Sequence, residues 1–261
     1  MPSRPDFPLR HAARRALHGV VARARGRGGR RLDLLGVQLQ VPTGVPHPGL
    51  DPSAAFLLRT VGPMVAPGHT VLDVECGAGL GAMVAVSRGA AVVAMDGSAA
   101  CRDATRANAE AAGVTVVTGT PEPGQLAIRD ARPPHDLGSG GPVADGWDLV
   151  LWNAAQTSDA ERGVVLATLP SLPSLIGETG RLLLVVEKGS GLQDEMARAL
   201  PREYRAVELA RDLGLRPAFA VLCLGFDREA ARARRHAERN RSKEAKASVS
   251  RRKWEGKEES P

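Results

Sequence analysis

Short apolar runs alternate with longer amphipathic stretches through the middle of the chain. TVLDV (Thr70–Val74), AVVAM (Ala91–Met95), VTVVT (114–118), WDLVLW (147–152) and RLLLVVE (Arg181–Glu187) read as strands. Residues 80–88, about 98–112, 159–169 and 191–200 read as the helices between them, with Gly113 stopping the second. The strands are apolar almost throughout, which predicts a parallel sheet covered on both faces. YRAVELA (204–210) and FAVLCLGF (219–226) add two strands separated by a short loop, which predicts an antiparallel pair. The expectation is a doubly wound, mostly parallel sheet of seven strands closed by an antiparallel hairpin. Upstream, LDLLGVQLQV alternates after Gly36 and reads as a strand or hairpin. A Pro/Gly loop follows, and then a helix that Asp51 can cap and Pro52 can open. Residues 121–146, rich in Pro, Gly and Asp, read as a long loop.

Charge divides the chain into three parts. Residues 1–31 carry nine Arg and one Asp, and residues 228–261 carry twelve Lys or Arg and six Glu. The ends are therefore +8 and +6 in a chain of +6, which leaves residues 32–227 at −8. We read 1–31 as a basic helical extension, 32–227 as the folded domain, and 228–261 as a basic helix and tail. Basic ends on an acidic core suit a polyanion such as RNA or the ribosome, and equally suit solvated helices. No apolar run reaches the roughly 18 residues of a membrane span, and the Arg-rich first residues lack the apolar segment and small-residue cleavage site expected of a secretory signal. Cys76, Cys101 and Cys223 form no metal-ligand pattern and are expected to be reduced core residues of a cytoplasmic protein. Aromatic residues make up only 3% of the chain, so Val, Leu and Ala must build the core.

The chemistry gathers around VLDVECGAG (71–79). Gly77 and Gly79 follow the first strand and precede a helix, where glycine lets backbone turn tightly and approach a ligand. The next strand ends in Asp96, followed by Gly97, and a carboxylate there can accept both hydroxyls of a ribose. The alternative for Asp96 is a cap of the following helix.

This stretch, through CRDATRANAEAAGV, resembles the cofactor half of class I S-adenosylmethionine-dependent methyltransferases. It is similar to the branch containing release-factor glutamine methyltransferases and small-domain rRNA guanine methyltransferases. The resemblance spans about residues 36–226. It implies a Rossmann-like fold and S-adenosylmethionine as cofactor, held by Asp73, Glu75, Gly77, Gly79, Asp96 and Gly97. It also implies an acceptor asparagine at Asn153, with no metal. The acceptor so implied is a nitrogen on RNA or protein. A small-molecule acceptor, a non-catalytic RNA- or ribosome-associated protein on the same fold, and a nicotinamide-dependent oxidoreductase remain alternatives. Asp73, placed on the strand before the glycines, and the closing hairpin favour the methyltransferase over the last of these.

The chain departs from the resemblance at three places. Glu75 stands where the first loop glycine belongs. The acid expected after the third strand is replaced by Gly119-Thr120-Pro121. The Pro-Pro-Tyr expected after the asparagine is Ala154-Ala155-Gln156. Glu75 can pair with the ammonium group of the cofactor or repel its carboxylate. Trp152 can lend a ring to the acceptor site or belong to the core. Of six histidines, only His47, in the loop before the sheet, falls near a prospective acceptor.

Overall fold

A strand that is apolar at every position must be covered on both faces. The computed structural model, which describes residues 30–34, 36–131, 146–154, 159–211 and 219–233, shows how the central strands are covered. A hairpin comes first, β1 (Arg30–Leu34) and β2 (Val37–Val41), followed by α1 (Pro52–Val61). The main sheet is built from β3 (Thr70–Val74), β4 (Ala91–Met95), β5 (Thr115–Val117), β6 (Gln125–Arg129), β7 (Leu149–Asn153), β8 (Arg181–Glu187), β9 (Tyr204–Arg211) and β10 (Phe219–Phe226). Its order is β5-β6-β4-β3-β7-β8-β10-β9. The first six of these strands run parallel, and β10 is antiparallel to both β8 and β9.

Alternate residues of the central strands serve two separate cores. Val71, Val92, Leu151 and Val185 pack with the hairpin, α1, α2 (Leu80–Val86) and α3 (Ala99–Ala111). Leu72, Val93, Val150 and Leu184 pack with α4 (Asp159–Thr168), α5 (Leu172–Ile176) and α6 (Leu192–Ala199). Burial on both faces is the physical reason these strands carry no polar alternation. In β2, by contrast, Val37, Leu39 and Val41 point inward and Gln38 and Gln40 outward, as expected of a strand buried on one face.

The seven expected strands of the main sheet are present, and β6 makes an eighth. It lies within the stretch read from sequence as loop. Pro121, Pro123 and Gly124 precede it and Pro133 and Pro134 follow, so turn formers on both sides conceal five strand residues. What makes QLAIR a strand is the open edge of β4, along which Val92 to Met95 pair with Leu126 to Arg129. β5 is thereby displaced to the sheet margin.

The helix expected over residues 11–25, the remainder of the loop at 132–145 and the tail from residue 234 lie outside the described residues. Among the described residues, no helix is long and apolar enough to cross a membrane.

Candidate functional site

From β3 the chain passes to β4, then to β5 at the margin and back to β6 between them, before crossing to β7 on the other side of β3. The order of the sheet therefore reverses between β3 and β7. In open α/β sheets a crevice forms at such a point, beyond the carboxyl ends of the strands. Here it is lined by the loop after β3, the start of α1, His47, Asp51 and Asn153.

The loop is set by three left-handed residues. Glu75, Gly77 and Gly79 have φ of 56°, 59° and 85°. At Gly79 a Cβ would come within 2.8 Å of Thr105 Cγ2, so the position admits only glycine. At Gly77 a Cβ would meet nothing within 4 Å, because the backbone there faces the open crevice. The loop is held from beneath by α3. Thr105 Oγ1 donates to the Gly77 carbonyl at 3.1 Å, and Asn108 Nδ2 to the Ala78 carbonyl at 2.9 Å. The Asn108 amide also bonds both backbone groups of Gln40, which fastens the hairpin to the same helix. Thr105 and Asn108 were not singled out by the sequence reading. The signal was there: two polar residues share the inward helical face of Cys101, Ala104 and Ala109.

Glu75 is the one residue with positive φ that is not glycine among the described residues. A left-handed L-residue costs about 1–2 kcal/mol. Its carboxylate accepts a hydrogen bond from Trp152 Nε1 at 3.1 Å. Trp152 is only 2% exposed, so its indole belongs to the core and its N–H needs a partner. A hydrogen bond to a charged group contributes about 1.5–3 kcal/mol, enough to offset the backbone strain. Glu75 thus joins the loop after β3 to the tip of β7 while lining the crevice.

Asp73 is 7% exposed and accepts from Ala82 N at 2.8 Å, at the start of α2. Burial pushes its carboxyl up to about 7, the Ala82 bond lowers it and the charge of Asp96 raises it. Gly81 lies directly over it, leaving no room for a Cβ. The neighbouring Cys76 thiol is raised above its ordinary value by burial and then by Asp73, which keeps it protonated.

Asp96, at the tip of β4, accepts from Gly77 N at 3.0 Å through one oxygen and from Ser98 N at 2.8 Å through the other. The carboxylate therefore ties the loop to the neighbouring strand and also opens α3, whose cap is Ser98. Gly97 lies in the turn between them. The sequence reading found no acid after the third strand, but it took VTVVT for the strand beside β4. β6, not the VTVVT strand, neighbours β4, and it ends in Arg129 followed by Asp130. Asp130 bonds Arg102 at 2.9 Å, and Arg102 also donates to the Asp96 carbonyl at 2.8 Å. A carboxylate, Asp130, thus follows the strand beside Asp96, while Gly119-Thr120-Pro121 lies beyond the marginal strand.

Across the crevice, Asn153 ends β7. Its Nδ2 donates to Asp51 Oδ2 at 3.2 Å and to Ser53 Oγ at 3.0 Å. Asp51 also caps α1 through Ser53 N at 3.0 Å. Ala154 is buried, and Ala155 and Gln156 lie outside the described residues.

No family model matches the sequence, and no curated protein matches it. Solved structures do match. A SAM-dependent methyltransferase from Agrobacterium tumefaciens gives a TM-score of 0.55 at 16% identity, covering 77% of this chain and 71% of that one. A 16S rRNA methyltransferase from T. thermophilus, in complex with AdoMet and guanosine, gives 0.55 at 16% identity over 77% of this chain and 50% of that one. The protein yhhF from Escherichia coli gives 0.51 at 14% identity over 76% and 99%. The chain has the class I methyltransferase fold, Rossmann-like with a C-terminal antiparallel hairpin.

Proposed function

We propose that this chain is an S-adenosylmethionine-dependent methyltransferase. The observation that carries the reading is the Gly77–Asp96 hydrogen bond, which sets a left-handed, open-faced loop against a carboxylate at the next strand tip. The residues fit the cofactor. Gly77 leaves space above its backbone, Asp96 keeps further lone pairs for ribose hydroxyls, and Asp130 lies beside it for the base. Asp73 and Glu75 present carboxylates to the amino-acid end. When bound, the cofactor supplies a methyl group on a sulfonium centre.

The protein's own part is to hold an acceptor in line with that methyl group, the main device available to such a transfer. Asn153, on the opposite wall, is our candidate for orienting a nitrogen. The basic ends, together with the rRNA methyltransferase whose fold this chain shares, favour RNA over protein as acceptor. The cysteines, all free of disulfides, suit a cytoplasmic enzyme. Ala154, which brings no ring to the crevice, favours a second reading: a non-catalytic RNA-binding protein on the same fold.

Calorimetric titration with S-adenosylhomocysteine separates the two. Micromolar or tighter binding is expected of the enzyme, and no binding leaves the scaffold reading in its place. For the acceptor, filter binding of structured RNA should weaken steeply with salt, as counterion release from phosphate contacts requires. Salt-independent binding would count against RNA.

A further inference from the structure

The contacts of Asn153 have a direction that chemistry fixes. Asp51 is a carboxylate and can only accept, so the amide must turn its NH2 end toward it. The buried Ser53 hydroxyl repeats this constraint. It donates to Asp51 Oδ1 and so offers Asn153 an acceptor. The proton order therefore runs one way, from Asn153 through Ser53 to Asp51. An asparagine on a strand tip could otherwise present either end of its amide to the crevice, since the two ends have the same shape.

Resting on the methyltransferase reading, we propose that Asp51 and Ser53 are positioning residues for Asn153. By taking both of its N–H groups, they turn Oδ1 toward the acceptor side of the crevice, where it accepts from an incoming amine. The α1 cap thus performs two tasks with one carboxylate. One oxygen satisfies the helix terminus through Ser53 N, and the other sets the polarity of the acceptor wall.

Asp51→Asn separates these tasks. Asparagine caps a helix as well as aspartate does, so α1 should stay intact. The new amide would place an NH2 group opposite that of Asn153, and relief of this donor–donor conflict flips the Asn153 side chain. The probe is sinefungin, which carries an amine in place of the methyl-bearing sulfonium, compared with S-adenosylhomocysteine, whose neutral thioether has neither amine nor methyl at that position. The wild-type protein should favour sinefungin. In Asp51→Asn, affinity for S-adenosylhomocysteine should hold within about twofold. The sinefungin-to-S-adenosylhomocysteine ratio should fall about tenfold, the loss of one hydrogen bond to a charged donor.

The double variant Asp51→Asn with Asn153→Asp restores a carboxylate oxygen facing the crevice and should recover the ratio. A ratio unchanged in Asp51→Asn overturns the proposal. A fall without recovery in the double variant assigns the effect to the charge of Asp51 itself, and also overturns it. If the wild-type protein binds neither compound, the methyltransferase reading fails first and this inference with it.

Discussion

The two walls of the crevice are built on different principles. The loop after β3 is held through its backbone. Its amide and carbonyl groups meet Asp96, Thr105 and Asn108, and its path depends on left-handed residues. The tip of β7 is held through side chains, with Asn153 tied to Asp51 and Ser53 and Trp152 to Glu75. A backbone-built wall tolerates few changes and presents the same groups whatever the flanking side chains are. A side-chain wall can be altered one residue at a time without disturbing the strand beneath it. The departures of the sequence from the family it resembles touch both walls, at Glu75 in the loop and at 154–156 after β7.

The most severe break in the comparison is Gly79→Val. It forces a branched residue into φ of 85° and against Thr105, and should cost about 3 kcal/mol or more. Denaturant unfolding measures the loss, and S-adenosylhomocysteine binding should vanish with it. A variant as stable as the parent would show that the loop is not constrained by its backbone. Asp96→Ala comes next. It removes the acceptor for Gly77 N and the proposed ribose contact, so affinity for S-adenosylhomocysteine should drop by roughly 1–3 kcal/mol, read by calorimetry. Unchanged affinity in the folded variant would take Asp96 out of the site.

Asp73 links the loop to pH. Its folded-state value is raised to about 7, above the ordinary carboxylate range. The folded chain therefore binds more protons than the unfolded chain between about pH 4 and 7. The stability from protonated Asp73 is complete below the unfolded value and declines as pH rises toward 7. From pH 5.5 to 7 this single group should lower stability by roughly 2 kcal/mol, and Asp73→Asn should remove that slope. Chemical denaturation at the two pH values, in both proteins, tests it. An equal slope in the variant would place the pH dependence elsewhere.

The smallest effect, and the finest comparison, comes from Glu75. Glu75→Gly relieves the left-handed strain but leaves the Trp152 N–H without its carboxylate, so the net change in stability should be within about 1 kcal/mol. Glu75→Gln keeps an acceptor for Trp152 and removes only the charge. If the charge attracts the cofactor ammonium, Glu75→Gln should weaken S-adenosylhomocysteine binding a few-fold. A gain in affinity would make Glu75 an intruding charge.

What could be read from the chain follows from where the determinants lie. Periodicity and glycine placement are local properties, so β3, β4, β7 and β8, the helices between them, and the loop with Asp73, Gly77, Gly79 and Asp96 were legible in order along the sequence. β6 was not. Its five residues are too few to outweigh the flanking turn formers, and only the vacant edge of β4 makes them a strand. Missing that strand also hid the carboxylate that follows it, Asp130. Thr105 and Asn108 were visible only as polar residues on an inward helical face. Their partners, Gly77, Ala78 and Gln40, lie 28, 30 and 68 positions away.

The sequence by itself determined the alternation of strand and helix, the left-handed glycines and the acid closing the second strand, because each depends on neighbours along the chain. Tertiary structure decided which way Asn153 turns its amide, because Asp51 lies 102 positions upstream. It decided the role of Glu75 as well, since the indole that holds its carboxylate comes from a strand 77 positions on. Hydrogen-bond polarity is set by what stands opposite a group, and only the folded sheet brings these pairs together.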